Sequence, residues 1–187
     1  AQAALLRGAE VDLVHGPLSA PAALREGLHC HPIATAAELE ATLLALQPTA
    51  NAIAMAAAVA DHRRAVPRTD KLPKLELEEA LSSGWEAVPD LLAGLVAQRP
   101  AGQRILGFAA YSGTDLGPVR AKFARKGCDL LFANPIDSLG AGFAAPTNAG
   151  LLLGPGPKET RLEPASKLAI AHRLLSALVA SPGESQA

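Results

Sequence analysis

Residues 104–133 read RILGFAAYSGTDLGPVRAKFARKGCDLLFA, and this stretch decides the fold. Arg104–Phe108 and Asp129–Ala133 each open on a charge and run into short apolar segments, the character of buried strands. Between them Asp115–Arg125 lays its apolar residues on one face of a helix, and Gly127, after Arg125 and Lys126, marks where that helix stops. Strand, helix and strand in this order predict a right-handed crossover between parallel strands.

Working outward, the same reading places strands at Glu10–Val14, Asn51–Ala57 and Leu151–Gly154, and helices at Ala36–Ala45, Pro89–Gln98 and Ala165–Val179. Thr35 with Glu38 three residues on is a capping-box pattern at the start of the first of these. The expectation is one α/β domain over residues 1–180 with a mostly parallel central sheet, followed by a small polar tail, 181–187, that frays. Arg63–Ala87 and Pro135–Asn148 keep no steady period and read as long loops, which in compact domains are often functional. Ala1–Arg7 reads as a helix closed by Gly8. A helix covering a parallel sheet normally follows a strand, so a first strand and its loop are expected upstream of Ala1.

Composition narrows the partners. Seventeen Lys and Arg against 18 Asp and Glu leave a formal charge of −1, which supplies no basic surface for nucleic acid or anionic membrane, so any phosphate must be met by local groups. Cys30 and Cys128 stand far apart, which argues against both a disulfide framework and a zinc ribbon and fits a reducing cytoplasm. The longest apolar stretch, Ala52–Ala60, is too short to span a bilayer, and residues 1–15 lack a signal core. A soluble cytoplasmic protein is expected.

Four segments could carry chemistry. Met55-Ala-Ala-Ala-Val-Ala-Asp61 is a small-residue strand ending in a carboxylate, at the sheet end where open α/β folds gather ligands. Asp61 there meets a ribose hydroxyl or metal-bound water, or simply caps a turn. Lys71, in Lys71-Leu-Pro-Lys74, is either a mobile point charge for a triphosphate or a solvated loop lysine. Phe108, in Gly107-Phe-Ala-Ala110, stacks on a base or fills the core, while Lys122 and Lys126, four apart, share one helix face toward phosphate or toward solvent. Asn134, before Pro135 and a loop with Gly140, Gly142, Phe143 and Asn148, orients a polar substrate group or closes a turn. His29, Cys30 and His31 alternate across an extended chain without a further ligand at normal spacing, so no metal is expected there. No Walker loop, nucleophile elbow or Rossmann glycine fingerprint occurs.

In order, these segments closely resemble the phosphopantothenoylcysteine synthetase family, usually the carboxyl half of a bifunctional protein whose other half is an FMN-dependent decarboxylase. The resemblance runs from Arg7-Gly-Ala-Glu-Val-Asp-Leu-Val14 and His15-Gly-Pro17 through Ala56–Asp61, Lys71–Lys74 and Val88-Pro-Asp-Leu91. It continues through Gly107–Ala110, Arg125-Lys-Gly-Cys-Asp-Leu-Leu131, Ala133-Asn134 and Gly142-Phe143 to Ser166-Lys167, and so spans essentially the whole chain.

The resemblance implies a three-layer, Rossmann-like α/β domain and a ligase that joins cysteine to 4′-phosphopantothenate with CTP and magnesium through an acyl-cytidylate. It implies that Met55, Ala56, Ala57, Val88, Pro89, Asp90 and Leu91 surround the cytidine, with Asp61 and Phe108 beside the nucleotide. Lys71, Lys122 and Lys126 meet phosphates, Lys71 acting in catalysis, and Asn134 faces substrate. Magnesium is held mainly by the triphosphate, FMN belongs only to a decarboxylase half where one precedes, and the family forms homodimers.

The family opens with a strand into a Gly-Gly-Thr or Ala-Gly-Pro-Thr loop, which this chain does not contain. Tyr111 stands where the family commonly has an acid, Pro135 where Asp is frequent after the asparagine, and His62 where tyrosine is common. A nucleotide-binding module without catalysis is the competing expectation. A nicotinamide-dependent oxidoreductase is disfavoured because the sequence holds no Gly-x-Gly-x-x-Gly turn.

Overall fold

The computed structural model describes residues 1–18, 21–66, 70–137, 145–156 and 159–180; Gly140, Gly142, Phe143 and the tail 181–187 lie outside these. In chain order the strands are β1 (Asp12–His15), β2 (His29–Pro32), β3 (Ala52–Met55), β4 (His62–Arg64), β5 (Trp85–Ala87), β6 (Arg104–Tyr111), β7 (Leu130–Pro135), β8 (Thr147–Leu153) and β9 (Glu159–Ser166). The helices are α1 (Gln2–Leu5), α2 (Ala36–Leu46), α3 (Leu77–Ser82), α4 (Leu91–Ala97), α5 (Gly117–Lys126) and α6 (Lys167–Val179).

Five strands make the central sheet in the order β3-β6-β7-β8-β9. β3, β6 and β7 are parallel, and α5 is the crossover that residues 104–133 predict. β8 and β9 add antiparallel pairings, so the sheet is mixed. Residues 136–146 and 154–158 are too few to carry a crossover, and the chain must return antiparallel. β1 and β2 pair in parallel as a separate sheet, and β4 and β5 form an antiparallel ribbon.

Alternation along β6 and β7 divides the core between two faces. Ile105, Ala109, Leu131 and Ala133 pack with Leu92 and Leu95 of α4 and Val119 of α5. Leu106, Leu130 and Phe132 pack instead with Ile170, Leu174 and Leu178 of α6. Helices therefore cover both faces, giving the α/β layering expected from the sequence. Gly107 is part of this fit: a Cβ there would lie 2.8 Å from Leu92 Cδ2 and 3.0 Å from Leu131 Cδ1, so its lack of a side chain is what lets α4 settle on β6.

One polar device sits inside the core. Gln47 and Gln103 are both buried. The Gln103 side-chain amide donates to the Gln47 and Ala50 carbonyls (2.8 and 2.6 Å), and that of Gln47 donates to the Leu95 carbonyl (2.7 Å) and to Gln103 Oε1 (3.1 Å). The pair ties the end of α2 and the body of α4 to the start of β6.

Several elements depart from the sequence reading. The last helix opens at Lys167, with Ser166 Oγ accepting the Ala169 N–H, while Ala165 and Ser166 complete β9. β9 buries Leu162 and carries Glu159, Arg161, Glu163 and Pro164, the composition of an edge strand and not of an alternating apolar one. α5 starts at Gly117 instead of Asp115, because Asp115 Oδ1 accepts the Gly117 N–H in a turn that precedes the helix. The loop expected at Arg63–Ala87 contains β4, α3 and β5, whose pairing rests on a 2.6 Å Arg63–Glu86 ion pair and on Arg64 lying 5.5 Å over the Trp85 ring. Such polar cross-strand pairs leave no apolar period to read.

Candidate functional site

β3, β6 and β7 all end on the same edge of the sheet. Met55 closes β3 opposite Gly107, and β6 and β7 run on together until Ala110 stands opposite Asn134 and Tyr111 opposite Pro135. Such an edge, at the carboxyl ends of parallel strands, is where open α/β sheets bind ligands. Ala56 and Ala57 leave β3 exposed to solvent, and Met55 packs into the core on the α4 and α5 side.

Two of the sequence segments meet here through the backbone. The Val88 N–H donates to the Asp61 carbonyl (2.9 Å), joining the end of the Met55–Asp61 segment to Val88-Pro-Asp-Leu91. The side chain of Asp61 is exposed. Leu91 is buried and anchors the first turn of α4, while Asp90 caps that turn by accepting the Ala93 N–H (3.1 Å). The other carboxylate oxygen of Asp90 takes the ammonium of Lys126.

That ion pair brings α5 into the cluster. Side chains on a helix lean toward its N-terminus, so Lys126, in the last turn of α5, sends its stem back along the neighbouring α4 to reach Asp90. The Lys126 side chain is 14% exposed and that of Asp90 41%. Burial by itself pushes the Asp90 carboxyl up, but the hydrogen bonds from Lys126 and Ala93 and the charges of Lys126 and Arg125 outweigh it and hold the group below its ordinary value. Lys122 lies one turn nearer the start of α5 and is half-buried. It makes no ion pair among the described residues.

The remaining sequence candidates are placed as follows. The Phe108 ring packs edge-on against Phe132, centroids 6.0 Å apart, and joins the cluster under α6. Lys71 is exposed just ahead of the short 3-10 turn Lys74–Glu76, without an ion pair among the described residues. Asn134 is half-buried near the end of β7. Sequence reasoning did not single out Asp115 and Asp137. Asp137 accepts the Gly113 N–H (2.6 Å) and Asp115 the Gly117 N–H (2.8 Å), so both shape the loop between β6 and α5. The Asp115-Leu-Gly-Pro118 run, with proline in the first helical turn, was the available signal for that loop.

His29, Cys30 and His31 lie on β2, beside β1. Parallel pairing brings Asp12 within 2.6 Å of His31 Nε2, and Glu10 within 3.6 Å of His29. Cys30 is exposed. Among the described residues no three His, Cys, Asp or Glu side chains are arranged to hold a metal ion. No helix among them is long and apolar enough to cross a membrane.

The model of the DNA/pantothenate metabolism flavoprotein C-terminal domain matches residues 1–181. The chain belongs to this family. A relative from Mycobacterium tuberculosis, the coenzyme A biosynthesis bifunctional protein CoaBC, is 37% identical over 199 residues, covering 96% of this chain and 44% of the relative. The chain thus spans less than half the length of such relatives. Among solved structures, the C-terminal domain of a coenzyme A biosynthesis bifunctional protein CoaBC shares this flavoprotein-domain fold with a TM-score of 0.70 at 23% identity, covering 92% of this chain and 76% of that one. A Cab2 mutant in complex with phosphopantothenate-cysteine gives a TM-score of 0.53 at 18% identity over 82% of this chain and 55% of that one. The family assignment covers every segment gathered at the sheet edge, from Met55 to Asn134.

Proposed function

We propose that this chain is the part of a phosphopantothenate–cysteine ligase that binds nucleotide and performs the coupling. CTP activates the carboxylate of 4′-phosphopantothenate as an acyl-cytidylate with loss of pyrophosphate. The cysteine amine then attacks the acyl carbon and CMP leaves. What carries the reading is the family match through residues 1–181, with the Asp61–Val88 link setting two of the nucleotide segments beside Lys126 at the sheet edge. The phosphopantothenate-cysteine held by the Cab2 mutant is the product this reaction would make.

The chemistry fits the groups present. A carboxylate and an α-phosphate repel one another, so the first step needs both held in line and cations to absorb the charge that builds on phosphorus. Lys71, from the exposed segment before Lys74, is the cation that serves it, and Lys122 and Lys126, both from α5, hold the phosphates of the bound nucleotide. Magnesium arrives on the triphosphate as part of the nucleotide substrate. The backbone of Met55–Ala57 and Val88–Leu91 surrounds the cytidine, and Asn134 at the end of β7 faces the acyl substrate. On the same reading the whole protein is a cytoplasmic homodimer that joins this domain to an FMN-dependent decarboxylase.

The test is pyrophosphate release from 4′-phosphopantothenate, cysteine and magnesium with either CTP or ATP, measured on the full-length gene product and on this chain. CTP-selective release with formation of 4′-phosphopantothenoylcysteine supports the ligase. Tight CTP binding with no pyrophosphate from the folded full-length protein selects a nucleotide-binding module instead.

A further inference from the structure

The Asp90 carboxylate has two partners on two different elements. One oxygen closes the first turn of α4 through the Ala93 N–H, and the other holds the ammonium of Lys126 from the far end of α5. A lysine stem ordinarily wanders among many rotamers, and fixing it costs free energy when a ligand must do the fixing. Here the stem is largely covered, and its head is tied to a residue that is itself held by a helix cap. An ammonium has three N–H donors, so one spent on Asp90 leaves two for another anion.

The location makes this arrangement useful. Asp90 lies two residues after Val88, whose N–H is bonded to Asp61 at the sheet edge, so the Lys126 ammonium is stationed beside the segment that leads from β5 into α4. We propose that Asp90 is a positioning residue: it orders the Lys126 ammonium in advance, directing its remaining donors toward the phosphates of the nucleotide. This rests on the ligase reading of the site. Asp90 then acts through Lys126, and removing its charge weakens nucleotide binding while the chemical step stays near its normal rate.

Asp90→Asn separates these roles, because an asparagine still caps a helix but does not hold an ammonium as a carboxylate does. The full-length protein and its Asp90→Asn, Lys126→Gln and double variants are compared by CTP-dependent pyrophosphate release, with thermal unfolding as the check on folding. Freeing one long side chain sets the scale, and the expected result is a KM for CTP about tenfold higher in Asp90→Asn with kcat within about twofold. In the Lys126→Gln background the same substitution should change KM by less than about twofold. Asp90→Ser, which also caps without charge, should reproduce the effect if Asp90→Asn folds poorly. An unchanged KM in Asp90→Asn overturns the proposal. So does an equal rise with and without Lys126, which would make Asp90 a direct ligand. Absence of CTP-dependent release from the unsubstituted protein overturns the ligase reading itself, a result distinct from either.

Discussion

Leu92 Cδ2 stands where a side chain on Gly107 would have to go: a Cβ built at Gly107 comes within 2.8 Å of it. The contact lets α4 lie flat on β6 and so places Asp90, at the helix start, beside the ends of the parallel strands. Gly107→Ala should therefore cost about 1–3 kcal/mol by overpacking. Urea unfolding should show a lowered midpoint with an unchanged slope. Combining it with Leu92→Ala should give a loss smaller than the sum of the two, since each relieves the other. Gly150→Ala should be worse, because its Cβ would lie 2.2 Å from the backbone carbonyl oxygen of Ala133, which cannot swing aside as a leucine can.

Gln103→Leu tests the buried amide pair. It removes the donors to the Gln47 and Ala50 carbonyls and the oxygen that accepts from the Gln47 amide. At roughly 1–3 kcal/mol for each buried polar group left unmade, the expected destabilisation is about 3 kcal/mol. Denaturant unfolding of the variant measures it directly; a loss below about 1 kcal/mol would mean that water replaces the lost bonds.

The Asp90–Lys126 pair predicts a pH dependence of stability. The Asp90 carboxyl is depressed in the folded protein, since its hydrogen bonds and the nearby cations outweigh burial. A depressed carboxyl stabilises the fold above its unfolded value, ordinarily 3.8, and that contribution disappears as pH falls through the lower folded value. Unfolding free energy measured from pH 6 down to about pH 2 should thus fall less steeply in Asp90→Asn than in the parent. Parallel acid limbs would show that the pair adds nothing.

Cys30 and Cys128 should differ in reactivity. Cys128 is 5% exposed, and burial pushes its thiol up, which suppresses the thiolate that reacts. Cys30 is exposed on β2. Brief alkylation of the native protein near pH 8 followed by peptide mass analysis should find label on Cys30 alone, with Cys128 labelled only after denaturant is added.

Lys71→Gln probes the proposed chemistry away from the core. Loss of one group that stabilises charge in a transition state typically lowers kcat about 100-fold or more. Lys71 is exposed, so stability should be unaffected. A variant that retains full kcat would remove Lys71 from the catalytic groups.

Residues 104–133 by themselves determined the heart of the fold. Their two apolar runs and intervening helix can bury their faces only as a crossover of parallel strands, and Thr35 and Gly127 mark helix ends through backbone chemistry that is local. The edge strand β9 was not legible because Glu159, Arg161, Glu163 and Pro164 leave it no apolar alternation, and the β4–β5 ribbon because its pairing depends on charged side chains and on partners distant in sequence. The same divide runs through the site. The order of Met55–Asp61, Val88–Leu91 and Gly107–Ala110 was readable, and so was the pairing of Lys122 with Lys126 on one helix face. That Phe108 packs beneath α6, that Asp61 is bonded to Val88, and that Lys126 reaches Asp90 were decided only by tertiary packing, with α6 closing over one face of the sheet and α4 and α5 side by side on the other. A side chain's neighbours across 36 residues of chain are set by how faces fit together, and no local spacing encodes that fit.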